Sequence, residues 1–107
     1  MTDRLSTLTR LRDMVRNADG PSDEIDHELW WQWGGDAPPF SYAASLGEAI
    51  VLAEKELPSC EIDVLGGRRP AAHIKWEGLE AAAYGNTRPL AILDCLLSVL
   101  IEKEERG

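Results

Sequence analysis

A chain of 107 residues, 44% apolar and 28% charged, is sized for one domain spanning 1–107 that builds its own core without disulfide staples. Its 19 acidic residues against 11 basic ones give a formal charge of -8, which excludes a long contact with a nucleic-acid backbone, because phosphate binding needs a net basic surface. No apolar run approaches the roughly 18 residues of a membrane span and the amino terminus lacks an apolar signal core, so the expectation is a cytoplasmic protein with no membrane contact. In that reducing setting Cys60 and Cys95, with no Cys-x-x-Cys spacing, read as small buried apolar thiols.

Thr2 to Asn17 places Leu5, Leu8, Leu11 or Arg12, and Val15 on one stripe, predicting an amphipathic first helix. Asn17-Ala18-Asp19-Gly20-Pro21 breaks it. A second helix begins beyond Pro21, where Asp23 and Glu24 sit in the first turn that the helix dipole makes favourable for acids, and Ile25, Leu29 and Trp33 form its inward stripe. Asp19, Asp23, Glu24, Asp26 and Glu28 lie close together, but helix spacing spreads them round the axis and the oxygen-rich loop order of a calcium site is missing. No metal and no cofactor is expected. Trp30, Trp31 and Trp33 crowd the end of this helix, and since adjacent helical residues point about a hundred degrees apart, one indole should face away from the core as an interface or stacking surface. The plainer alternative packs all three beneath Pro38-Pro39.

Pro38-Pro39-Phe40-Ser41-Tyr42 is a stiff extended lead-in to a third helix. Ser45 and Glu48 have capping-box spacing, Leu46, Ala49, Ile50, Ala53 and Leu57 recur with helical period, and Pro58 stops the helix. Cys60 to Leu65 alternates apolar and acidic residues, as a strand with one wet face does, and Gly66-Gly67-Arg68-Arg69-Pro70 turns it. Next, Ala72, Ile74 and Trp76 share one face of a second strand and His73 and Lys75 the other. Glu77-Gly78 suits a primed two-residue hairpin leading to a third strand, Leu79 to Tyr84. Gly85-Asn86-Thr87-Arg88-Pro89 opens the last helix with Thr87 as N-cap; Leu90, Leu93, Leu96 or Leu97, and Leu100 make its apolar face, and 102–106 a solvated end. The expected fold class is α+β: an antiparallel three-stranded sheet, four-stranded if Phe40 to Ala43 counts as a short strand, sandwiched by helices in the order ααβαβββα.

Catalysis is not expected. Only His27 and His73 supply imidazole, His73 lies on a solvated strand face, and neither a nucleophile-base-orienter set nor zinc spacing is present. The constellation with chemical content joins Gly67, Arg68 and Arg69 to Asn86, Thr87 and Arg88, with Trp76 and Tyr84 as stacking partners. Glycine amides, guanidiniums and a helix amino terminus are the parts that hold a phosphate, and together with aromatic rings they suit a nucleotide. Against this stands the simpler reading of Arg68 and Arg69 as a solvated hairpin tip and of Asn86-Thr87 as a cap.

Pro38-Pro39-Phe40-Ser41-Tyr42 with Ser45-Leu46-Gly47-Glu48-Ala49, then Gly85-Asn86-Thr87-Arg88-Pro89-Leu90-Ala91-Ile92-Leu93 with Cys95, resembles the phage ABA sandwich domain family. The upstream Gly20-Pro21-Ser22-Asp23-Glu24-Ile25-Asp26 is similar to a Gly-Pro-Ser segment of that family. This chain departs in carrying an extra residue between Thr87 and Pro89, and Gly47-Glu48 where the family has Asp-Ala. The resemblance implies a phage or prophage protein at work in a bacterial host's cytoplasm, with no shared catalytic set. The corresponding expectation is a non-catalytic, homo-oligomeric anti-defence protein that sequesters a phosphate-bearing nucleotide signal of host immunity. Its rival is an inhibitor that turns the acidic, Trp-rich surface of Trp30, Trp31 and Trp33 on a host defence protein; a structural domain without ligand is the third reading.

Overall fold

Residues 90–101 are apolar on every side of a helical wheel apart from Asp94 and Ser98, and a helix of that kind is stable only when it is surrounded. The computed structural model, which describes residues 2–33, 42–65 and 68–106, surrounds it. Three helices come first, α1 (Thr2–Asn17), α2 (Asp23–Trp33) and α3 (Leu46–Glu56). A meander of β1 (Glu61–Leu65), β2 (Ala71–Trp76) and β3 (Leu79–Tyr84) follows, and α4 (Arg88–Arg106) closes the chain. In α4 every residue from Pro89 to Ile101 except Ser98 is buried. β2 and β3 pack on one side of it, α1 and α3 take up the rest of its circumference, and α2 packs on α1.

The sheet is antiparallel in the order β1-β2-β3, with Asp63 opposite His73 and His73 opposite Ala82. One face, carrying Ala72, Ile74 and Leu79, is buried against α4. On the other face Glu61, Asp63, Leu65, Lys75, Glu80, Ala82 and Tyr84 are all exposed. The α+β class and the three antiparallel strands are as expected, whereas the sandwiched sheet is not found: the described helices all lie on one side of it. The reason is that α4 is apolar all round while the sheet is apolar on one face only, so α4 and not the sheet forms the middle layer. The order is αααβββα; Tyr42 to Ala44 form a turn where a fourth strand was expected, and Phe40 and Ser41, like the proline lead-in, lie outside the described residues.

Local chemistry explains most boundaries. Ser45 Oγ accepts the Glu48 amide proton at 3.3 Å, so one half of the capping box forms; the reciprocal half does not, and Glu48 Oε2 is buried without a hydrogen-bond partner. Asp26 Oδ1 accepts the Ala43 amide proton at 2.7 Å, pinning the turn before α3 to α2, and burial pushes the Asp26 carboxyl above its ordinary range. Glu77 (φ 46°) and Gly78 (φ 82°) both adopt the positive φ of a primed hairpin turn. Both cysteines are free; Cys60 is half-buried, and the buried Cys95 thiol donates to Ala72 O at 3.1 Å.

Asp94 is the one buried charged residue among those described, 4% exposed, and α1 answers it. Arg16 Nε donates to Asp94 Oδ2 at 3.0 Å, Ser98 Oγ donates to Oδ1 at 3.2 Å, and Arg12 Nη1 reaches Ser98 Oγ at 3.5 Å. The polar tie fixes the register of two otherwise greasy helices, since sliding either would strand a carboxylate in hydrocarbon.

Asp94→Ala is expected to lower unfolding free energy by about 2 kcal/mol, less than a fully enclosed pair would lose because Arg16 can turn into water; a urea midpoint shift measures it. Burial and the Asp94 charge push the Cys95 thiol from its ordinary 9.0 up to about 12. The folded state therefore keeps a proton that the unfolded chain gives up, and stability falls as pH rises from about 9 towards about 12. Cys95→Ala should make that alkaline limb shallower in melts recorded across the range.

Candidate functional site

An antiparallel meander brings the end of β1, the start of β2 and the end of β3 to one rim of the sheet, where Leu65, Ala71 and Tyr84 lie opposite one another across the strands. Leu65 (57% exposed) and Tyr84 (60%) form an apolar row on the open face. The Arg69 guanidinium lies over the Tyr84 ring, 4.5 Å from its centroid, a cation–π contact that leaves its N–H donors available. Gly85 N donates to Pro70 O at 3.0 Å, tying the segment after β3 to the segment before β2. α4 starts three residues later.

That close junction needs glycine. A Cβ on Gly85 would lie 2.7 Å from Ala91 N, against backbone and not a yielding side chain. Thr87 is the N-cap: its Oγ1 accepts the Leu90 amide proton at 3.3 Å and its carbonyl accepts that of Ala91 at 3.0 Å. Asn86 Nδ2 donates to Ala18 O at 2.7 Å, holding the end of α1 to the same corner. Thr87 thus does the capping work that the simpler reading gave it, while the Asn86 side chain holds the end of α1 instead of capping α4.

Arg88 opens a first turn that contains no acid. Among the described residues neither Arg68 nor Arg88, both exposed, pairs with any carboxylate, and Arg69 has only the tyrosine ring. Arg4, Arg10, Arg16, Lys75 and Arg106 each hold a carboxylate. Arg68 and Arg69 precede β2 and Arg88 opens α4, so three guanidiniums without a carboxylate partner among the described residues stand at the same end of a chain of charge -8. Depressions lie beside the 77–78 hairpin, at the junction of α1 and α2, and along α1.

The structure thus gathers Arg68, Arg69, Tyr84, Asn86, Thr87 and Arg88 at one end. Gly67 lies outside the described residues. Trp76 is not part of the group: it sits at the far end of β2, roughly 17 Å along the strand from Ala71, where its Nε1 donates to Pro58 O at 3.0 Å and the Lys103 ammonium lies 5.1 Å from its ring. Leu65 was missed by sequence reasoning. Its signal was its phase, since Glu61, Asp63 and Leu65 share the wet face of an alternating strand, and a leucine there calls for something to cover it.

The tryptophans form a separate surface on α2. Trp31 is 72% exposed, Trp30 and Trp33 are half-buried against the core, and His27, Trp30 and Trp31 make a tilted aromatic series with centroid spacings of 5.9 and 6.3 Å. His73 lies on the open sheet face as expected, with Nε2 at 3.0 Å from Glu80 and Nδ1 at 4.0 Å from Asp63. Among the described residues no group of three His, Cys, Asp or Glu side chains is arranged to hold a metal ion, and no helix is long and apolar enough to cross a membrane.

No family model, no curated protein and no solved structure matches this chain. The site therefore stands on its own geometry.

Gly85→Ala is expected to cost about 2 kcal/mol through overpacking and to disturb the corner, whereas Gly20→Ala, which meets nothing within 4 Å, should cost far less. Thermal melts of the two variants check the difference.

Proposed function

We propose that this chain is a non-catalytic binding protein whose basic corner takes a small phosphate-bearing nucleotide. What supports the reading is that Arg68, Arg69 and Arg88 stand at one end of the molecule, none paired with a carboxylate among the described residues, with the Arg69 guanidinium over the exposed Tyr84 ring and Arg88 opening α4. Guanidiniums bind phosphate oxygens in pairs, and the row of Leu65, Ala71 and Tyr84 offers a flat apolar surface to a base or ribose. The groups at the corner bind and orient; a nucleophile poised beside a base is not among them. In the phage setting that the ABA sandwich resemblance implies, the ligand would be a nucleotide signal of host immunity, held and withdrawn from its receptor in the host cytoplasm, with oligomerisation multiplying the number of sites.

Calorimetric titration with ADP-ribose and with a cyclic dinucleotide is the test. One of the two should bind, and Arg68→Ala and Arg88→Ala should each weaken it about tenfold, the loss of roughly one charge-assisted contact, with Trp31→Ala silent. No heat with either ligand, or unchanged affinity in the double arginine variant, overturns the reading.

One observation favours a second reading, inhibition of a basic host defence protein: Trp31 stands 72% exposed on a helix whose first turn holds Asp23, Glu24 and Asp26. A host protein retained at low salt, released at high salt, and lost on Trp31→Ala or on neutralising Asp23 and Glu24 would move the working surface to α2.

A further inference from the structure

The three apolar strands do not end alike. On the buried face of the sheet Ile62, Ile74 and Ala81 form one cross-strand row, and Val64, Ala72 and Ala83 the next. α4 lies over β2 and β3 and reaches β1 only at its margin, so Ile74 and Ala72 are buried while Ile62 and Val64 remain half-exposed. β1 is an edge strand: five consecutive residues pair with β2 without a bulge, and its other side has no strand beside it among the described residues. Of the devices that guard such an edge, β1 has short length and the charges of Glu61 and Asp63, but no lysine, proline or bulge. On the open face β1 carries Glu61, which has no ion pair among the described residues, and Asp63, 76% exposed and 4.0 Å from His73.

β3, the opposite edge, likewise has no lysine, proline or bulge, but it differs in what its faces carry. Its inward Leu79 is buried, its other inward residues are the small Ala81 and Ala83, and Glu80 already holds His73 and Lys75.

We propose that β1 is a docking edge for an extended segment of a basic partner protein, one that alternates apolar residues with Lys or Arg and adds to the sheet as a fourth strand. Strand addition satisfies the unpaired backbone groups of β1 and gives affinity, while alternate side chains give specificity. The partner's apolar residues continue the rows ended by Ile62 and Val64; its basic residues face Glu61 and Asp63. Charge decides the occupant. A second copy paired antiparallel in the register of full overlap would set Asp63 against its own counterpart, and like charges directly opposite are unfavourable. Asp63, which turns away another β1 in that register, joins Glu61 in accepting a basic strand.

The probe is a synthetic Lys-Val-Lys-Val-Lys-Val peptide, blocked at both ends and titrated into the intact protein by fluorescence anisotropy. Saturable binding is expected. A Glu-Val counterpart should not bind, and Glu61→Lys combined with Asp63→Lys should weaken the basic peptide at least tenfold while leaving the melting temperature nearly unchanged. N-methylation separates strand addition from plain charge attraction without touching the protein: methylating the amides of one alternate set should abolish binding, and methylating the other set should leave it. Equal binding by both methylated peptides, or no effect of reversing the two acids, overturns the proposal. So does a dimer that forms with rising protein concentration and excludes the peptide, since it would show that a second copy is the occupant.

Discussion

Everything in this molecule is arranged around the requirement that α4 have no wet side. A helix buried all round must find neighbours over its whole circumference, and a sheet can offer only one face, so the sheet meets α4 on one side and the amino-terminal helices meet it on the others. Two consequences follow for the surface. The far face of the sheet is left open, and the chain must pass from β3 into α4 within three residues, which forces the backbone of Gly85 against Ala91. The corner at Arg69, Tyr84 and Arg88 is the outer side of that tight passage.

Such a core creates a problem of register, because leucine-rich surfaces slide. Asp94 answers it at one point, where its buried carboxylate meets Arg16 and Ser98 and the nearest alternative is an unpaired charge in hydrocarbon. The remaining Lys and Arg ion pairs among the described residues, Arg4 with Glu104, Arg10 with Glu28, Lys75 with Glu80 and Arg106 with Glu102, are partly exposed and add little to stability. Their larger effect is on the field, since each cation they engage is neutralised where it stands. The three arginines of the corner are left to act outward.

Much of this was legible in the sequence because periodicity and capping are local. Helices α1 to α4, the Glu77-Gly78 hairpin, the Ser45 and Thr87 caps and the inward triplet of Ala72, Ile74 and Trp76 all follow from spacings of two to four residues. What was not legible depends on which apolar face meets which. The run from Leu90 to Ile101 reads as one broad stripe until it is seen that the residues between the leucines are apolar too, and that is what distinguishes a middle layer from an outer one. Asp94, an acid within that run with Ser98 one turn on, was the available sign of a buried polar tie. Trp76 was grouped with the corner as a stacking partner for a base; six residues of strand are long enough to put it at the other end of β2.

The open face also limits what the corner can hold. Moving away from the rim, the row of Leu65, Ala71 and Tyr84 gives way within about 7 Å, two residues of strand, to Asp63, His73 and Ala82, and then to Glu61, Lys75 and Glu80. An anion extended along the face would leave the guanidiniums and meet three carboxylates, of which only Glu80 has the Lys75 ammonium and the His73 ring at short range. On the proposed reading a polynucleotide would meet that repulsion and a mononucleotide at the rim would not. The acids proposed to draw a basic strand to the β1 edge are the same ones that would keep a phosphate at the rim, so the two proposed surfaces differ in the sign of their charge on a single sheet.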